Sequence, residues 1–246
     1  MGIIDKDAGT RVDEVSAGIY RLSTPVPPSA MPGGFTFNQY LVLDEEPLLF
    51  HTGPRRLFPL TRAAIAHVMP VERLRWVAFS HVEADECGAL NDLLAMAPQA
   101  APLCGRTAAA VSVNDLADRA PRALADGETL SLGGKRVTWF DAPHVPHGWE
   151  CGYLLEETTR TLFCGDLFTQ PGHDPAPFTE GDILGPSMRF QKAMDYWAYT
   201  PDTRRHLERL AATSPTTLAC MHGSAFRGDG ATLLHELAEQ VSVGSR

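Results

Sequence analysis

The segment Ser80-His81-Val82-Glu83-Ala84-Asp85-Glu86-Cys87-Gly88 gathers one imidazole and three carboxylates within six residues, His81 to Glu86. It follows Arg75-Trp76-Val77-Ala78-Phe79, an apolar run that reads as a buried strand, and precedes a helical stripe from Leu90 to Met96. His81, Glu83 and Asp85 are two apart, so in extended backbone their side chains share one face and make half of a metal site. Asp85 could instead cap the following helix and Glu86 could favour its positive end. Capping leaves His81 and Glu83 without a role. Three later spots have the same character: Asp141-Ala142-Pro143-His144-Val145-Pro146-His147-Gly148, Cys164-Gly165-Asp166-Leu167-Phe168-Thr169-Gln170, and Cys220-Met221-His222-Gly223. Each sits just after a strand-like run, where functional residues collect on a rigid scaffold.

The elements that must position these groups alternate between short β-like runs and helical stretches. Strands are expected at Gly18 to Leu22, Phe35 to Leu43, Leu48 to His51, Arg75 to Phe79 and Ala101 to Cys104. Hairpins are expected from Glu128 to Phe140, across Gly133-Gly134, and from Cys151 to Cys164. A last strand is expected at Thr217 to Cys220. Helices are expected at Leu60–Val68, Leu90–Met96, Arg106–Val113, Met188–Tyr196, Thr203–Ala211 and Ala231–Val241. Pro171 to Ser187 reads as a loop that could cover a pocket. The aromatic cluster Asp195-Tyr196-Trp197-Ala198-Tyr199 reads as core or oligomer contact rather than pocket wall. Two β-rich halves with interspersed helices, and no low-complexity linker, indicate a layered α/β protein forming one domain over residues 1–246.

Composition removes several function classes. Of 246 residues, 44% are apolar, enough for a substantial core. The balance of 21 basic against 30 acidic residues, a net charge of −9, gives no basic footprint for nucleic acid. No apolar run approaches the ~18 residues of a membrane span. The N-terminus lacks a signal-peptide pattern, and five cysteines without a C-x-x-C pair suit a reducing compartment, so a cytoplasmic location is expected.

The pattern resembles the metallo-β-lactamase fold superfamily, whose H-x-H-x-D-H motif follows a strand and is completed by a separate His, a bridging Asp and a last His. His81-x-Glu83-x-Asp85-Glu86 is closer to the H-x-E-x-D-H of the flavodiiron branch. Thr36-Phe37-Asn38-Gln39-Tyr40-Leu41-Val42 is similar to that branch's N-x-Y-L strand, His144-Val145-Pro146 to its H-W-P, and Asp166-Leu167-Phe168-Thr169-Gln170 to its D-x-F-x-Q. The resemblance implies a four-layer αβ/βα sandwich of two mixed β-sheets flanked by helices. It implies that His81, Glu83 and His144 hold one metal, that Asp85 and His222 hold a second, and that Asp166 bridges them. His144 is preferred to His147 on the motif's spacing, with His147, His51 and His173 as pocket candidates. Glu86 stands where the branch has histidine, and His51-Thr52-Gly53 replaces the superfamily's D-T-G.

Four carboxylates in such a shell neutralise two divalent cations and leave a residual double charge on two trivalent ones. Oxygen-rich, anionic ligands suit iron, with manganese or zinc as alternatives, whereas a zinc hydrolase needs residual charge to acidify its water. No flavodoxin-like sequence follows Gly223, so no flavin is expected. A domain of this type resembles the oxygen-binding diiron proteins, which implies O2 or another small molecule as ligand, a redox or signalling protein as partner, and a homo-oligomer as an open possibility. The alternatives are a dinuclear hydrolase of a thioester, lactone or phosphoester, and a degenerate site whose fold serves as an interaction module.

Overall fold

A computed structural model describes residues 2–243 of the chain. Eight strands form the first sheet in sequence order: β1 (Gly2–Ile3), β2 (Arg11–Ser16), β3 (Ile19–Val26), β4 (Phe35–Val42), β5 (Leu48–Phe50), β6 (Trp76–Ala78), β7 (Ala101–Gly105) and β8 (Arg122–Leu124). Pairing is antiparallel from β1 to β5 and parallel from β5 to β8. The second sheet contains β9 (Thr129–Ser131), β10 (Arg136–Asp141), β11 (Gly152–Glu156), β12 (Thr161–Phe163), β13 (Phe178–Thr179), β14 (Thr217–Ala219) and β15 (Ala225–Arg227), in the order β13-β15-β14-β12-β11-β10-β9. It too is mixed, with β12 parallel to β14.

Period-two alternation divides the apolar residues between two faces. Tyr40, Val42, Leu48 and Phe50 point into a core shared with Trp139, Leu154 and Phe163 of the opposite sheet. Leu41 and Leu49 point outward, beneath the helices Phe58–Val68 and Leu90–Met96 and the helical run from Arg106 to Leu116. On the far side, Tyr153, Leu155, Leu162 and Leu218 pack under the helices Leu184–Met194, Thr203–Ala211 and Gly230–Val243. The result is four layers, helix–sheet–sheet–helix, as expected. Among the described residues, no helix is long and apolar enough to cross a membrane.

Several boundaries differ from expectation for local reasons. The expected helix at Met188–Tyr196 begins earlier and stops at Met194, because Asp195 adopts a left-handed backbone with φ 52°. The stretch Pro171 to Ser187 is only partly a loop: Phe178–Thr179 pairs with β15, and helix begins at Leu184. Strand β2 escapes notice because Arg11, Asp13 and Glu14 mask the two apolar residues, Val12 and Val15, that anchor it.

Candidate metal centre

The chemistry-bearing loops leave neighbouring strand ends on one edge of the sandwich. β6 leads to His81, β10 to His147, β12 to Asp166 and β14 to His222. They bring together two groups of potential ligands, His81, Glu83, His147 and Asp166 in one and Asp85, Glu86 and His222 in the other.

In the first group, His81 Nε2 and His147 Nε2 lie 3.1 and 3.0 Å from Glu83 Oε2. Asp166 Oδ2 is 3.8 Å from His81 Nε2 and 3.4 Å from His147 Nε2. Its Oδ1 is 3.2 Å from His222 Nε2, which is also 3.5 Å from Asp85 Oδ2. Asp166 therefore reaches both groups. Glu83 occupies the N-cap position of the helix Ala84–Cys87, with extended backbone, but its side chain caps nothing. Asp85 and Glu86 lie in that helix's first turn. Asp85 is therefore not the helix cap, while Glu86 does stand at the helix's positive end, as the alternative reading had it.

His144, preferred on spacing, lies outside both groups. Val145 is fully buried in the core beneath the loop, which turns His144 outward at φ 66°, while its N–H bonds to Gly148 O at 2.8 Å. The ring that enters is His147, whose Nδ1 is held 3.1 Å from Tyr196 O. His173 is also elsewhere, against Gly34 and beside a different hollow lined by Lys6, Pro27 and Leu60. His51 is buried behind the site, where its Nε2 lies 3.0 Å from Ser80 Oγ.

Charge burial explains the protonation of the cluster. Hydrogen bonds from His147 and His81 hold the Glu83 carboxyl far below the usual carboxylate range. Burial works against a charged Asp166, but the hydrogen bond and charge of His222 hold its pKa down to about 2. Burial opposes charge on His81 as well; contacts with Cys151 and Glu83 outweigh it and raise this imidazole well above its ordinary value. His222 is raised in the same manner by Asp166 and Asp85. Glu86 is raised well above its usual range by burial and then by the charge of Asp166. Protons thus gather on imidazole and carboxyl groups that a cation would otherwise neutralise.

A test of fit for metal comes from unsatisfied atoms. Both carboxylate oxygens of Glu86, fully buried, have no hydrogen-bond partner among the described residues. Buried, unpaired carboxylate oxygens are costly, and such groups are normally paired or bound to metal. The donor set of four carboxylates and three imidazoles fits two cations.

The surrounding residues hold these candidate ligands in place. His222 Nδ1 donates to Thr36 O at 2.7 Å, and Phe35 stacks on its ring at 4.1 Å between centroids. Asn38 Nδ2 donates to Cys220 O and Gly223 O, Tyr40 Oη to Cys220 O, and the buried Arg21 Nη2 to Gly223 O. The N-x-Y signal in the sequence therefore marks an anchor for the His222 loop. A cavity of about 200 Å³ opens above these candidate ligands, walled by Met31, Phe35, Phe190, Met194 and Tyr196. Its wall comes from the end of the helix Leu184–Met194, not from the expected loop at Pro171 to Ser187. Tyr196, expected as core or oligomer contact, packs against the core and also faces His147 edge-on at 5.8 Å, on the cavity wall.

A family model described as ODP family beta lactamase matches residues 35–223. The chain belongs to that family. This ODP-family chain is 29% identical over 209 residues to the rubredoxin-oxygen oxidoreductase of Megalodesulfovibrio gigas, covering 80% of the chain and 50% of the relative. It is 25% identical over 217 residues to the anaerobic nitric oxide reductase flavorubredoxin of Pectobacterium carotovorum, covering 82% and 42%. The chain spans about half the length of these relatives. Among solved structures, rubredoxin oxygen:oxidoreductase from Desulfovibrio gigas matches with TM-score 0.79 at 24% identity, over 93% of this chain and 62% of that one. A 1–254 fragment of the Nostoc sp. PCC 7120 protein named diflavin flavoprotein A 5 matches with TM-score 0.76 at 16% identity, over 95% and 94%. These likenesses establish the metallo-β-lactamase fold for the ODP-family chain.

Proposed function

We propose that this chain holds a pair of iron ions and binds or reacts with O2. His81, Glu83 and His147 would hold one ion, Asp85, Glu86 and His222 the other, and Asp166 would bridge them. The observation that carries this reading is the position of Asp166, whose two oxygens face His222 on one side and His147 and His81 on the other. Iron in a shell this rich in carboxylates supplies one-electron redox chemistry toward O2. The relatives' names, rubredoxin-oxygen oxidoreductase and nitric oxide reductase flavorubredoxin, favour a redox function over hydrolysis.

The chain's own residues fit a small neutral ligand. The cavity over the site has a volume near 200 Å³, below the ~300–1,000 Å³ typical of sites for larger molecules. Its walls are mostly thioether and aromatic, and among the described residues no Lys or Arg lines it to receive a phosphoester. Phe35 and Phe190, stacked at 5.6 Å, keep bulk water from the His222 side. His147, partly exposed and bonded to Glu83, stands where a proton can pass between solvent and the cluster.

Metal analysis of protein produced in iron-supplemented medium tests the proposal, followed by anaerobic reduction and mixing with air-saturated buffer. Two irons per chain and an oxygen-dependent near-ultraviolet or visible band are expected. Zinc or manganese with ester cleavage and no such band would support the hydrolase reading. Less than one equivalent of metal would support the interaction module.

A further inference from the structure

His51 follows β5 with a left-handed backbone, φ 67°, and is buried between two groups of fixed hydrogen-bonding polarity. Met221 Sδ lies 2.8 Å from Nδ1, and a thioether can only accept. The Ser80 backbone N–H lies 3.3 Å from Nε2, and an amide N–H can only donate. Both neighbours demand the same tautomer, a neutral ring with its proton on Nδ1 and a lone pair on Nε2. Ser80 Oγ, 3.0 Å from that lone pair, must donate its hydrogen there. Its own lone pairs then face His81 Nδ1 at 2.9 Å, so this nitrogen must carry the hydrogen of that bond. His81 Nε2 is left facing Glu83 and Asp166.

We propose that His51 is a positioning residue that, through the Ser80 hydroxyl, fixes His81 in the tautomer whose Nε2 is free to bind a cation. This deepens the metal-site reading and rests on it. Space for the relay is reserved by Gly165, where a Cβ would come within 2.7 Å of Ser80 Oγ. The relay also ties the two ligand groups together, because Met221 directly precedes His222. Aspartate, which the superfamily pattern has at position 51, would offer Ser80 the same acceptor. It would add a negative charge and could give Met221 no hydrogen. Histidine keeps the relay's direction and leaves it uncharged.

The test uses the full chain, 15N-labelled at histidine, with zinc as a diamagnetic probe. Long-range 15N–1H spectra should show His51 neutral with its proton on Nδ1, with or without zinc. His81 should be protonated on Nδ1, its Nε2 shifting when zinc binds. A proton on Nε2 of His51, or zinc bound through Nδ1 of His81, would overturn the proposal. Ser80→Ala removes the hydroxyl link and should weaken zinc binding in the first group about 10–100-fold, as losses of residues supporting a metal ligand do. With zinc bound, it should also let part of the population bind through Nδ1 of His81; unchanged affinity and binding through Nε2 alone would overturn the relay. His51→Asn, whose amide oxygen can take the Ser80 hydrogen and which tolerates positive φ, should stay closer to the wild type than His51→Ala. Equal losses in the two variants would reduce His51 to a packing role. If the wild-type chain binds no zinc, the metal reading fails, while the 15N pattern of the neutral His51 ring in the metal-free chain still decides its tautomer.

Discussion

His147 Nε2 lies 3.0 Å from Glu83 Oε2, while His144, three residues earlier, faces outward. The first ligand group is completed by the ring at the far end of this turn. His147→Ala should therefore cost the first group its cation, weakening zinc or iron binding by more than the ~10-fold lower bound for a supporting residue. His144→Asn, which keeps a residue tolerant of positive φ, should leave affinity unchanged and stability within about 0.5 kcal/mol. Titration of each variant with zinc against a chromophoric chelator measures both. A loss confined to His144→Asn would return the assignment to the spacing-based expectation.

Glu86 is the group whose burial is hardest to understand without a cation. Its oxygens have no hydrogen-bond partners among the described residues, and burial beside Asp166 raises its pKa. A carboxyl raised in the fold favours folding less as pH climbs from its unfolded value of 4.5 toward its folded one. Glu86→Gln should remove that penalty, so the metal-free variant should melt above the wild type at pH 8, with the gap narrowing on acidification. The same change should weaken the second cation by at least about tenfold, since a ligand is lost rather than a supporting residue. Glu86→His separates the roles: tighter second-site binding would show that the carboxylate contributes little.

Much of this arrangement is visible in the sequence because strand ends are short and their exits are marked. Val77 and Ala78, Leu162 and Phe163, and Leu218 and Ala219 are buried runs, each closed within a few residues by His81, Asp166 or His222. The choice between His144 and His147 is not visible. It depends on Val145 entering the core and on a left-handed turn at a non-glycine residue, neither of which periodicity encodes. Tyr196 was hidden for a related reason, since the helix ends at Asp195 and redirects the next side chain over the site. Nothing in the sequence singles out Ser80, and only its placement between two imidazoles gives it a role.

The metal-free chain should be most stable near pH 6.5. His81 and His222 have raised pKa values, so their contributions are complete below 6.5 and fade as pH rises through the folded values. Glu86 acts in the same direction on that limb. Burial lowers His51 well below 6.5, and burial also lowers His206, so each costs stability as pH falls below 6.5. Glu83 and Asp166, both depressed, add to the loss on further acidification. Melting temperatures in excess chelator should fall toward about pH 8 and toward about pH 5. Zinc should lift the alkaline limb most, because cations replace protons on the same nitrogens and oxygens. A metal-free chain whose melting temperature rises steadily to pH 8 would contradict the proton assignment of His81 and His222.

Tyr40 and Asn38 hold the His222 loop through shared acceptors, and their removal should have unequal effects. Tyr40 Oη donates to Cys220 O at 2.7 Å, but that carbonyl keeps a second donor in Asn38 Nδ2 at 3.0 Å. Tyr40→Phe therefore loses one hydrogen bond without orphaning its acceptor, at a cost of about 1 kcal/mol and ~3 °C in Tm. Asn38→Ala removes donors from both Cys220 O and Gly223 O and leaves a gap in a fully buried site. It should cost about 2–3 kcal/mol. Because the loop it releases carries His222, Asn38→Ala should also weaken the second cation by about tenfold, as loss of a supporting residue does, while Tyr40→Phe should not. Urea denaturation with and without zinc reads both quantities. Equal zinc affinities in the two variants would mean that the hydrogen bond to Thr36 O alone orients His222.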